Sequence, residues 1–361
     1  MRWITVALGL LATACGPGDS SGNDQEDSSG VPVLGNGSHD PDTLDVTVIG
    51  TAGKDDLETP TDLAFHPDVA GELWVVNQTA ESVTVFSDVG TSDQTSMFSH
   101  ASTSEHFLAY PSGIAFGNNG LFATSHDKYE PTQGGATGAD FMGPTLWDGD
   151  AASFDAGDEA HMDMLHNSPN GKGIAWEKGN RYWVFDGFHD SITMYDFNDD
   201  HGRGGTDHTD GEIARYVEGK VKSLANVPSH LVVDKDNDLL YIADSGKNRI
   251  AVLDTTSGDV GDDLNPNFDG CQQYAMDDAD LSTWVDGDDA GLEKPVGIAL
   301  HDGLLFVSDV DLEGIYAFDL ATAELVDWLD LGRTLYGIEF DDEGSLYAAD
   351  PDENEIIRIA E

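Results

Sequence analysis

Six stretches of this 361-residue chain repeat one pattern, and an internal repeat restricts a fold more than any other sequence feature. They read PTDLAFHPDVAGELWVVNQ, PSGIAFGNNGLFATSHD, GKGIAWEKGNRYWVFDG, PSHLVVDKDNDLLYIADSG, PVGIALHDGLLFVSDV and LYGIEFDDEGSLYAADP. Each places a small or turn residue before an apolar anchor, then a turn, then a second β-rich run ending near Asp. The anchors are Leu63, Ile114, Ile174, Leu231, Ile298 and Ile338. The second runs end at Asn77, Ser125, Asp186, Asp244, Asp309 and Asp350, 11 to 14 residues past their anchors. A third run follows in most copies (SVTVF, SITMYDF, RIAVLD, GIYAFD, EIIRIA) and a fourth in several (TSMFSH, EIARYV, LVDWLDL). Alternating apolar residues between Gly and Asp turns predict antiparallel strands; helical periodicity is absent.

Four strands in each of six repeats predict an all-β fold, a six-bladed β-propeller of four-stranded antiparallel blades. The last copy stops at its third strand, at Glu361. The stretch LDVTVIG, Leu44 to Gly50, can supply the missing strand, so the ring is expected to be closed by an N-terminal strand that protects both edges. Successive anchors lie 51, 60, 57, 67 and 40 residues apart. A bare four-stranded repeat needs about 40–45 residues. The excess predicts insertions near 127–165 and 257–290 within a propeller spanning 44–361. The aromatics of DFMGPTLWDGD are expected to pack the first insertion over the face where the innermost strands begin, here called the top.

Acidic residues outnumber basic ones 69 to 16, giving a formal charge of −53. Such a surface repels nucleic acid and anionic headgroups, and its self-repulsion should be relieved by salt. At the N-terminus, Met1-Arg2 precedes a twelve-residue apolar run, Trp3 to Ala14, too short to span a bilayer. The run ends LLATAC. Small residues directly before Cys15 resemble the bacterial lipoprotein signal, which implies a signal peptide over 1–14, lipidation of Cys15, and an exported protein held in the cell envelope, touching the membrane only through its lipid. Residues 15–43 are rich in Gly, Ser, Asp and Pro and are expected to form a disordered tether. With Cys15 lipidated, Cys271 has no disulfide partner, and its acidic surroundings argue against a nucleophile.

Propeller geometry sorts the histidines. Four go to the top in adjacent blades: His126 after a second strand, His166 before blade three, His189 in FDGFHDSI, and His230 at the head of blade four's inner strand, where the other copies carry Gly or Asp. Converging imidazoles suit a divalent transition metal, zinc first, with Asp186 and Asp244 orienting them, ligating, or acting as base. The stretch DDHGRGGTDHTDGE, Asp199 to Glu212, falls on a bottom loop at the rim. Its carboxylates could hold calcium, but no ordered ligand spacing is present, and a solvated loop is the favoured reading.

The segments IADSGKNRIAVLD and PSGIAF…LFATS resemble NHL repeats, a six-bladed propeller family, over roughly residues 44–361. That family holds protein-binding modules and an enzyme branch, the peptidylglycine amidating lyases. YWVFDGFHDSITMYDF and VPSHLVVDKDNDLLYIADSGKNRI are similar to two consecutive lyase blades. The chain departs from them where the chemistry lies: Ser229 occupies the lyase ligand position, His230 falls one place later, and Phe188 stands where the catalytic Tyr belongs. The expectation is therefore a monomeric binding module presenting its top face to a small ligand or a protein, with a metal at the channel. The rival is a metal-dependent lyase or hydrolase.

Overall fold

In a computed structural model, residues 30–100, 104–117, 119–129, 141–155 and 160–361 are described. The predicted signal peptide, Cys15 and the first half of the tether lie outside these residues. The first strand, β1 (Asp45–Thr51), precedes blade one, which is built from β2 (Pro60–Phe65), β3 (Leu73–Asn77), β4 (Ser82–Ser87) and β5 (Thr95–Ser99). Blade two holds β6 (Pro111–Phe116), β7 (Leu121–His126), β8 (Thr145–Asp148) and β9 (His161–Met164). Blade three holds β10 (Gly171–Lys178), β11 (Arg181–Asp186), β12 (Ser191–Asp196) and β13 (Glu212–Tyr216). Blade four begins with β14 (Leu231–Asp234), β15 (Leu239–Asp244) and β16 (Arg249–Asp254), diverts into β17 (Asp259–Asp263) and β18 (Gln272–Asp277), and ends with β19 (Leu281–Asp286). Blade five is β20 (Pro295–His301), β21 (Leu304–Asp309), β22 (Gly314–Asp319) and β23 (Leu325–Asp330); blade six is β24 (Ile338–Phe340), β25 (Leu346–Asp350) and β26 (Glu355–Ala360), completed by β1.

The closure expected from sequence is present: Asp45 pairs with Ala360 and Thr51 with Glu355 in an antiparallel ladder. The apolar core is divided among the seams between blades. One cluster joins Trp74 and Val85 of blade one to Phe122 and Trp147 of blade two. Another joins Phe185 and Ile192 of blade three to Leu240 and Ile242 of blade four. Burial of a large apolar side chain contributes about 1.5–3 kcal/mol, so each seam supplies stability only while both of its blades are in place.

Three expectations are corrected. TLWD and HMDM are the two outer strands of blade two, β8 and β9, so Trp147 is buried in the core and does not form a lid over the top face. Within the second predicted insertion, Leu281–Asp286 is blade four's own outer strand. Only the β17–β18 hairpin is extra, and β18 runs parallel to β13, extending blade three to six strands and covering its edge. Residues 31–43 are not a free tether. Val31, Val33 and Leu34 are buried in the seam of blades five and six. The buried Asp327 carboxylate accepts from the backbone N–H of Val31 at 2.8 Å and of Gly37 at 3.0 Å, and His39 stacks on Trp328. A short apolar run, VPVL, and a carboxylate able to take two orphan N–H groups outweigh the local composition.

Deleting residues 45–51 should lower the melting temperature by roughly 4–8 °C, a loss of about 3–5 kcal/mol for a domain of this size. A melting curve unchanged by the deletion would show that closure carries no stability.

Candidate functional site

The site follows from how closely the inner strands approach one another. In the residue just before each anchor, four blades carry Gly113, Gly173, Gly297 and Gly337. A Cβ on Gly173 would stand 2.4 Å from the Ser229 carbonyl oxygen, and one on Gly297 would stand 2.0 Å from the Tyr336 carbonyl oxygen. Hydrogen bonds cross every seam near this layer. The hydroxyl of Thr61 donates to Pro111 O, Ser112 to Gly171 O, Ser245 to Pro295 O and Ser308 to Tyr336 O. The backbone N–H of Ser229 donates to Lys172 O, and that of Gly337 to Thr61 O.

The two blades without glycine in this layer place Asp62 and His230 there instead. His230 Nδ1 lies 3.3 Å from Asp62 Oδ2, and its Nε2 lies 3.2 Å from Thr61 O. Asp62 Oδ2 also accepts from the Ile114 N–H at 2.9 Å. Past this pair runs a cavity of about 330 Å³, walled by the inner strands of all six blades. Its lining ends at Pro67, Gly117 and Lys235, on the turns of the bottom face, where Pro67 and Lys235 are exposed. Lys235 Nζ sits 3.4 Å above the Trp176 ring at this mouth. Sequence reasoning looked to the top face; the cavity walled by all six inner strands reaches the opposite one. The top face also has a cavity, of about 420 Å³, in which three of the lining polar groups are engaged with one another: Asp127 takes Lys172 Nζ at 2.6 Å and Asn170 Nδ2 at 3.1 Å.

Glu339 is the site residue the sequence reading missed. It lines the cavity wall beside Asp62 and is half-buried there. Burial pushes its carboxyl up to about 7; the Phe340 N–H works against this shift, and the Asp62 charge adds to it. A signal was available. One place after the anchor the other copies carry Ala64, Ala115, Ala175, Val232 and Ala299, all small and apolar, and only this copy carries an acid.

The four histidines expected to converge each bond to a different group. His126 is buried at the end of β7, with Nδ1 on Gly143 O at 2.8 Å and Nε2 on Thr124 Oγ1 at 3.0 Å, and burial lowers its pKa to about 4. Both of its nitrogens are spent. His166 is held by Asp269 at 2.5 Å, and His189 by Asp186 at 2.7 Å. His230 alone reaches the channel. Asp186 accepts from the Phe188 and His189 N–H groups and so holds the turn after β11. Asp244 accepts from Lys222 N and Arg249 Nε, while burial raises its pKa against the pull of Arg249. Asp309 and Asp350 hold the equivalent turns by the same kind of bond. The repeated Asp thus holds the following turn in blades three, five and six, whereas Asp244 instead ties the Lys222 backbone and the Arg249 side chain. Cys271 is buried, and its thiol is pushed up to about 12 by burial and the nearby Asp269 charge.

Among the described residues, the only three potential metal ligands whose donor atoms all lie within 4.8 Å of one another are Asp163, His201 and His208. They stand at the outer seam of blades two and three, where Asp163 lies three residues before His166 and none of the four expected ligands belongs to the set. No helix among the described residues is long and apolar enough to cross a membrane.

Because the Glu339 carboxyl is raised in the folded state, the folded protein holds this proton more tightly than the unfolded chain. Its contribution is full below the unfolded value of about 4.5 and is lost as pH rises through about 7. The isosteric Glu339→Gln should therefore gain stability over the parent across that window, levelling off at about 3 kcal/mol above pH 7. Urea melts of both proteins from pH 4 to 9 measure this; parallel curves would contradict it.

No protein-family model and no curated protein sequence matches the chain. Solved structures do. The chain is similar to an auxiliary nutrient binding protein from Bacteroides ovatus ATCC 8483, at 15 % identity and TM-score 0.55, covering 88 % of this chain and 76 % of that one. A second auxiliary nutrient binding protein, from Bacteroides thetaiotaomicron VPI-5482, gives 12 % identity and TM-score 0.56 over 87 % of this chain and 76 % of that one. A streptogramin B lyase gives 13 % identity and TM-score 0.50 over 88 % and 97 %. At these identities the likeness establishes the six-bladed propeller fold, which binding proteins and a lyase share.

Proposed function

We propose that this propeller is a binding module whose central channel takes a small organic molecule from the bottom face. The observation that carries this reading is the channel itself: a tube of about 330 Å³, walled largely by Leu, Ile, Val and Ala, with two carboxylates, Asp62 and Glu339, on its wall. That volume falls within the range of small-molecule sites, which are apolar with a few placed polar groups. The Asp62–Glu339 pair favours a cation or a strong hydrogen-bond donor. Lys235 at the mouth tolerates an acceptor at the other end of the same ligand. The fold shared with two Bacteroides nutrient binding proteins agrees with a binding role. Cys15 and the apolar run before it support export and attachment to the envelope, where such a protein would meet small solutes.

A binding assay with n-hexylammonium and hexanoate as probes tests the channel. Hexylammonium should raise the melting temperature and hexanoate should not. The shift should disappear in Asp62→Asn and in Ala299→Trp, which fills the tube. Affinity should increase as pH rises through about 7, because a cation favours the ionised form of Glu339. Equal shifts from both probes, or a hexylammonium shift that survives Ala299→Trp, would place binding elsewhere.

Attachment is tested separately. Palmitate labelling in a bacterial host should depend on Cys15 and vanish in Cys15→Ala; label persisting in that variant removes the lipoprotein reading.

A further inference from the structure

We infer that Asp163, His201 and His208 form a site for one borderline divalent transition-metal ion, zinc by preference, at the outer seam between blades two and three. Asp163 lies on β9, the outermost strand of blade two. His201 and His208 come from the loop between β12 and β13 of blade three. Asp163 Oδ1 is 2.7 Å from His208 Nδ1 and 4.0 Å from His201 Nε2. Three donors bound at about 2.0–2.1 Å to one tetrahedral ion stand roughly 3.3 Å apart, so the set needs only small adjustments.

The state of His201 points to a ligand. Its side chain is 2 % exposed, although its backbone reaches solvent. Its Nδ1 sits 2.6 Å from the Gly202 carbonyl oxygen, an acceptor, so Nδ1 carries the proton and donates. That fixes the tautomer and leaves Nε2 with a free lone pair. Nε2 is buried and has no hydrogen-bond partner. A buried lone pair facing a carboxylate from a neighbouring blade has no complement without a cation between them.

The loop is built to hold this ring. Gly202 and Gly204 adopt left-handed backbone at φ +67° and +71°. A Cβ on Gly205 would come within 2.4 Å of the His201 carbonyl oxygen, so the glycines let the chain curl tightly around the imidazole. The His208 side chain is 22 % exposed and leaves a path from solvent. Two imidazoles and one carboxylate suit zinc, copper or nickel better than calcium or magnesium, which prefer all-oxygen sites. Three protein ligands leave a fourth position for water or for a further ligand.

The test uses the purified protein stripped with a chelator, dialysed against zinc, and analysed for metal content, with cobalt as a spectroscopic probe. One equivalent of zinc is expected, with an intense tetrahedral visible spectrum for the cobalt form. His201→Ala and the isosteric Asp163→Asn should each weaken zinc binding by 100-fold or more, whereas His189→Ala should bind as the parent does. Melting curves identify any variant that fails to fold, and the cobalt spectrum of the parent decides independently of the variants. No zinc retained, a weak octahedral cobalt spectrum, or folded His201 and Asp163 variants that bind like the parent would overturn the site. So would loss of zinc in His189→Ala with retention in His201→Ala.

Discussion

The whole molecule depends on how closely six inner strands can approach one axis. Near the layer that begins each repeat, hydrogen bonds from Thr61, Ser112, Ser229, Ser245, Ser308 and Gly337 tie each blade to the next. Backbone can approach backbone this closely only where side chains are absent, so four of the six positions before the anchors are glycine. The close approach brings the wide apolar faces of adjacent blades together further out, and the seam clusters form there. It also leaves a narrow axial space that two side chains, Asp62 and His230, can fill from opposite sides.

The same constraint explains why the channel holds unusual chemistry. A carboxylate on the wall of a tube lined by Leu, Ile and Ala loses hydration, so its neutral form is favoured. Glu339 meets that situation with a second acid beside it and only the Phe340 N–H to support its charge. Asp62 differs in having the Ile114 N–H and the His230 ring as partners. One axial site thus presents an acid matched to its surroundings next to one that is not.

Much of the fold was legible because the repeat imposes the same demands on every copy. The anchors recur where each inner strand must be apolar, and the absence of a fourth strand after EIIRIA pointed directly to LDVTVIG. What stayed hidden was short or long-range. β8 and β9 have four residues each, too few for alternation to stand out among the Gly and Asp around them. The docking of Val31 and Leu34 depends on Asp327, nearly the whole chain away. His201 and His208 were visible as a candidate pair, but their loop lacked an ordered ligand set because the third group, Asp163, comes from another blade. The exceptional residue at His230 was readable by comparing copies; Glu339 was readable in the same way, one position further along.

The hairpin added to blade three has a consequence for how the chain is made. β18 lies against β13 as a parallel neighbour, yet it is synthesised only after the first three strands of blade four. Blade three therefore cannot reach its final width during translation until most of blade four has emerged. Assembly in strict chain order is impossible at this point in the ring, and the two blades must mature as one cooperative unit. A ribosome pausing between β16 and β18 would expose the outer edge of β13, making this the interval in which a newly made chain is most open to pairing with the wrong partner.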